Sequence, residues 1–132
     1  MANGTIAFDT LSTSGQITGT ARSIDADYLL NGANKIWFNL NGSGTAAFRG
    51  SFNVASLTDN GTGSYTVTFS NNMNDANYSA TSGFATASDA DAFQPLGIVD
   101  RATSTLRVDC EASDGSQFDG VNIDTQVSGD LA

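Results

Sequence analysis

The sequence predicts an all-β protein, an antiparallel β-sandwich of jelly-roll-like topology, on three observations. Asn-Gly pairs begin at Asn3, Asn31, Asn41 and Asn60, and Asp-Gly pairs at Asp114 and Asp119. Such dipeptides tolerate positive φ and favour the tight turns that join antiparallel strands. Between the turns, apolar residues recur at every second position, as in half-buried strands. No segment carries a convincing helical period. A closed barrel is the alternative architecture that the same pattern allows.

Strands are expected near 4–11, 16–21, 34–40, 44–54, 57–60, 64–70, 77–85, 102–111 and 121–128. Ile36, Phe38 and Leu40 share a face. Beyond the Gly42-Ser43-Gly44 turn, Ala46, Phe48, Phe52 and Val54 are assigned to one face. Tyr65, Val67 and Phe69 alternate with Thr66 and Thr68, and Leu106, Val108 and Cys110 with Arg107 and Asp109. Val121, Ile123 and Val127 alternate with Asn122, Asp124 and Gln126. The longest irregular stretch, 86–95, is small and acidic before Phe93. Loops of this kind often carry binding on sandwiches, which makes Asp89, Asp91 and Phe93 candidate ligand-loop residues, a solvated connection being the simpler reading. No repeat or linker divides the 132 residues: 1–30 read as an N-terminal arm with the first strands and 31–132 as the sandwich, one domain overall.

Fourteen acidic residues against five basic ones give a formal charge of −9, and Lys35, Arg22, Arg49, Arg101 and Arg107 are scattered. A nucleic-acid partner is therefore not expected, because phosphate binding needs a basic patch. No apolar run approaches the ~20 residues of a membrane-spanning helix, so no membrane partner is expected. The residues after Met1 lack the basic start and apolar run of a secretion signal. The four Asn-x-Ser/Thr triplets, at Asn3, Asn41, Asn60 and Asn77, then read as turn composition.

Enzymatic chemistry finds little footing. Without His, neither a Ser-His-Asp triad nor a Cys-His pair can be assembled in one chain. With Cys110 as the single cysteine, a zinc site and an internal disulfide are equally out of reach. A pair of carboxylates as in glycosidases survives, but nearly all are Asp in turn-like contexts and Glu111 is the sole Glu. No catalytic residue, metal ligand or cofactor is assigned. A structural Ca²⁺ is weighed at Asp89 and Asp91, or at Asp114 and Asp119, against ordinary turn chemistry.

Trp37 is the more informative residue. Ile36 and Phe38 define the alternating face, so Trp37 points the other way. An indole there is covered by the N-terminal segment, packed against another subunit, or exposed for stacking on a sugar. Ile6, Phe8, Leu11 and Ile17 join Trp37 as interface candidates.

The run from Asn31 to Gly42, containing Lys35-Ile-Trp37-Phe-Asn-Leu-Asn-Gly42, is followed by Arg49-Gly-Ser-Phe-Asn-Val54. With Leu57 to Phe69, Met73-Asn-Asp-Ala-Asn-Tyr78 and the ending Gly129-Asp-Leu-Ala132, it resembles a β-domain of bacteriophage tail-fibre proteins. The resemblance spans roughly residues 31–85 and the extreme C-terminus. It implies a homotrimeric, non-enzymatic structural protein on the virion exterior, made in the host cytoplasm. Family members carry this domain after a longer anchoring region, whereas here only residues 1–30 precede it. That departure favours a self-standing capsid decoration, or cement, protein whose partner is the major capsid protein. The alternative is a short tail fibre or tip, with tail proteins as partners and a host-surface glycan as ligand.

Overall fold

A computed structural model describes residues 17–18, 23–24, 32–85, 96–112 and 114–132. The strands within them are β1 Ile17–Thr18, β2 Ser23–Ile24, β3 Asn34–Asn41, β4 Ala47–Phe52 and β5 Val54–Gly61, followed by β6 Ser64–Phe69, β7 Ser79–Ala85, β8 Leu96–Arg101, β9 Thr105–Cys110 and β10 Asn122–Ser128. β1 and β2 form a short antiparallel ladder. The other eight build two antiparallel sheets, ordered β4-β3-β10-β7 and β5-β6-β9-β8. The chain is thus an all-β sandwich. Sequence neighbours pair within these two sheets as β3–β4, β5–β6 and β8–β9.

The alternation seen in the sequence becomes the shared interior. Ile36, Phe38 and Leu40 of one sheet meet Tyr65, Val67, Leu106 and Val108 of the other, all essentially inaccessible to water. Burying such side chains is the main favourable term, on the order of 2 kcal/mol each. β10 adds Ile123 and Val127, with Thr125 between them equally buried. The Thr125 hydroxyl lies 2.9 Å from that of Ser82 on β7, so the one polar residue in this row has its partner inside the layer.

Two irregularities correct the expected strands. The segment expected as one strand over 44–54 is β4 and the start of β5, which lie in different sheets. The break is Asn53, with φ 58°. Its carboxamide accepts hydrogen bonds from the Asn71 backbone N–H (2.8 Å) and Nδ2 (2.9 Å), and donates to the Lys35 carbonyl (3.2 Å). Asn tolerates the left-handed conformation better than most residues, which lets the chain turn from sheet to sheet there. The second irregularity is a bulge at Arg49: Asn39 pairs with Gly50, but Leu40 pairs with Phe48. One extra residue reverses side-chain parity. Phe48 therefore packs edge-on against Phe38 (5.8 Å between ring centres), whereas Phe52 points outward and is 56% exposed. Phe48 and Phe52 do not share a face.

β8 was not expected. A register shift between Ile98 and Asp100 breaks its alternation, leaving Val99 outward and 46% exposed. The strand expected at 4–11 lies outside the described residues.

At one end of the sandwich, Tyr65 donates its hydroxyl hydrogen to Asp119 Oδ1 (2.8 Å) beside the Gly42 carbonyl. Gly63, at φ 73°, donates to the same carboxylate oxygen (2.8 Å), and a Cβ there would lie 2.8 Å from two backbone carbonyls. At the other end, Met73 and Leu131 form an isolated bridge, and Asn74 and Ala132 donate to Asp130 and Asn72 (2.9 and 3.0 Å). The last residues are thereby tied to the segment leading into Tyr78.

Candidate functional site

Of the sequence-derived candidates, Ile6, Phe8, Leu11, Asp89, Asp91 and Phe93 lie outside the described residues. Ile17 sits in β1 opposite Ile24. Trp37 lies mid-β3 on the outer face of its sheet and is 43% exposed.

Two outward rows cross this sheet. Phe52, Trp37, Gln126 and Thr81 occupy the first, and Gly50, Asn39, Asp124 and Gly83 the second. A Cβ at Gly50 would be in ordinary contact with the indole, 3.4 and 3.5 Å from Trp37 Cζ3 and Cη2. The ring rests over Gly50 with Phe52 beside it. At Gly83, on the opposite edge, a Cβ would meet nothing within 4 Å. An open groove lined by Asn34, Trp37, Asp124 and Gln126 runs beside the indole.

The polar groups around it are ordered by one another. Asn34 donates to Gln126 Oε1 (2.8 Å) and Asn39 to Asp124 Oδ1 (2.5 Å). Arg49, placed by the bulge, reaches across β3 to β10. It donates to Asn41 Oδ1 (3.1 Å), Asn122 Oδ1 (2.7 Å) and the Val121 carbonyl. An arginine held at several acceptors is a rigid donor fork, and its neighbours are fixed in turn. The arrangement offers an aromatic surface next to fixed amide, carboxylate and guanidinium groups.

The turn aspartates are occupied by protein donors. Asp114 accepts from the Ser116 hydroxyl (2.6 Å) and backbone N–H (2.9 Å), bonds that hold its carboxyl below the usual range. Asp119 serves Tyr65 and Gly63, as above. Among the described residues, no three His, Cys, Asp or Glu side chains are grouped to hold a metal ion. Burial, followed by the hydrogen bond to Asp119, keeps the Tyr65 hydroxyl well above the usual phenol range. Burial likewise pushes the Cys110 thiol up to about 11. Neither group is ionised near neutrality.

Sequence reasoning found Trp37 but not Phe52, Gly50, Asn39, Asp124, Gln126 or Arg49 as its company. Asp124 and Gln126 stood out only as polar positions of an alternating strand. That β10 lies beside β3, and that the bulge turns Phe52 outward, has no local signature. No protein-family model, curated protein or solved structure matches the chain.

Proposed function

We propose that this is a bacteriophage structural protein of the virion exterior, a capsid decoration protein that assembles as a homotrimer and stabilises the head by binding the assembled shell. One observation carries the reading. Two stretches of the tail-fibre resemblance that lie far apart in the chain, Met73–Tyr78 and Gly129–Ala132, are partners in space through the Met73–Leu131 bridge and its flanking hydrogen bonds. A Cβ on Gly129 would lie 2.9 Å from Met73 Cε and from Tyr78 Cβ, so these positions constrain one another sterically. Residues that match a pattern and also need each other structurally support a common domain better than scattered matches do.

A ligand that binds only the assembled shell stabilises it by mass action. Three copies around a cyclic axis make three identical contacts from one surface. In this reading the N-terminal segment with Ile6, Phe8 and Leu11 contacts the capsid or the neighbouring copy. Deleting residues 2–11 should abolish particle binding and leave a folded sandwich; saturation of capsids by the truncated protein would refute the arm. The exposed pair Trp37 and Phe52 favours a second reading, a short tail fibre or tip that recognises a surface glycan. Quantitative mass spectrometry of purified particles separates the two. Copies comparable with the major capsid protein support decoration, and the far smaller complement of a tail supports the fibre. Absence from washed particles defeats both.

A further inference from the structure

Two Asn-Gly pairs lie wholly within the described residues, Asn41–Gly42 and Asn60–Gly61. Such a pair carries a reaction of its own. The backbone nitrogen of the glycine can attack the asparagine Cγ, because glycine sets no side chain in the way. The attack closes a succinimide ring: the N–Cγ bond forms, the Cγ–Nδ2 bond breaks, and ammonia leaves with the proton of the glycine nitrogen. Water then opens the ring at either carbonyl, giving aspartate or its β-linked isomer. The reaction needs a side chain free to swing onto the next nitrogen, room around the glycine, and water.

The two pairs meet these needs unequally. Asn41 is fastened at both ends of its carboxamide: Nδ2 donates to the Ser43 carbonyl (2.9 Å) and Oδ1 accepts from Arg49 (3.1 Å). Gly42 is buried, its N–H donates to the Gly120 carbonyl (2.8 Å), and a Cβ there would run into the Tyr65 hydroxyl. Attack at Asn41 would therefore break these bonds in a space without slack.

Asn60 is placed differently. Asp59 pairs with Tyr65 and Gly61 with Ser64, so Asn60 is the extra residue of a bulge at the end of β5. Its side chain is exposed and held by the bond from Nδ2 to Thr66 Oγ1 (2.8 Å), which water can replace. Gly61 is exposed as well, and a Cβ there would meet nothing within 4 Å. Its N–H donates to Asp59 Oδ1 (2.9 Å), and an anionic acceptor draws the proton away from the nitrogen that must attack.

We propose that Asn60 is a site of spontaneous deamidation through a succinimide with Gly61, and that the fold protects the identical dipeptide at Asn41. The product sets a second carboxylate beside Asp59 on a chain whose formal charge is already −9. The β-linked isomer lengthens the main chain at a position without a ladder partner, so the sandwich survives the change. This chemistry belongs to the hairpin and is independent of where the protein resides.

The folded full chain is held in warm, mildly alkaline buffer and sampled over days. Peptide mapping by mass spectrometry follows the amide-to-acid mass gain and the separated β-linked isomer at each asparagine. Asn60 should convert about tenfold or more faster than Asn41, a barrier lower by about 1.4 kcal/mol or more. In denaturant the two rates should draw together, because both pairs then have the same freedom. A native rate at Asn60 no greater than at Asn41 overturns the proposal. So does an Asn60 that converts in denaturant but stays intact in the folded chain. A difference that persists unchanged in denaturant would belong to the flanking residues and would overturn the protection of Asn41 by the fold.

Discussion

Across one outer face of the sandwich run Phe52, Trp37 and Gln126 above Gly50, Asn39 and Asp124; across the other run Thr58, Thr66, Arg107 and Asp100. Both sets alternate with the same buried layer, and the same period of two put them outside. They differ in what is exposed and in how it is held. On the first face Arg49 ties three strands together and two aromatic rings stay partly in water. On the second, short hydroxyl side chains dominate, Asn60 reaches Thr66 (2.8 Å), and Arg107 pairs with Asp109 of its own strand (3.1 Å). A Thr-rich face needs no partner beyond water. A face with exposed rings and prearranged amides differs from it in both respects, and the comparison teaches that alternation decides which residues are outside but not what the outside is for.

The largest test concerns the layer that both faces share. Phe38→Ala should cost about 3–5 kcal/mol, because a fully buried ring leaves a cavity that its neighbours cannot close. Denaturant unfolding should remain a single transition. A two-step curve would mean that the sheets are independently stable and that their faces do not share one floor.

Arg49→Ala should cost about 1–3 kcal/mol by chemical denaturation, since Asn41, Asn122 and the Val121 carbonyl lose a common donor. If it costs no more than the arginine change on the other face, the claimed difference between the faces is wrong.

Smaller and confined to alkaline pH is the contribution of Cys110. Its thiol is raised from 9.0 to about 11 by burial, so the fold favours the neutral form. The stabilisation is complete below the unfolded value and is lost as pH rises from 9.0 towards about 11. Stability measured across that window should fall more steeply for the native sequence than for Cys110→Ala. Equal slopes would remove the thiol from the account.

The smallest effect is expected for Arg107→Ala, about 0–1 kcal/mol. The Arg107 side chain is 44% exposed and its charge is screened, and Asp109 keeps its hydrogen bond from Ser64 (2.7 Å). A double-mutant cycle with Asp109→Asn measures the coupling, and a value well above that range would make the second face as tightly organised as the first.

Much of the scaffold was legible. Uninterrupted alternation of inward apolar residues marked β3, β6, β9 and β10, with Trp37 the one apolar residue at an outward position of β3, and these strands supply most of the core. Legibility failed where the period was broken. The bulge at Arg49 turned Phe52 outward, the kink at Asn53 split one expected strand between two sheets, and the shift after Ile98 hid β8. Each inserts or reorients one residue, and a one-residue change reverses every side chain beyond it.

The sequence by itself determined that the chain is all-β, which residues of its regular strands face inward, and that Trp37 points away from them, because a period of two is a local property of the backbone. Only the tertiary structure decided that Trp37 has Phe52 on one side and Gln126 on the other, above a row bounded by glycines. Those neighbours come from β4, β10 and β7, up to 89 positions away from Trp37 in the chain, and no local pattern encodes which strands lie side by side.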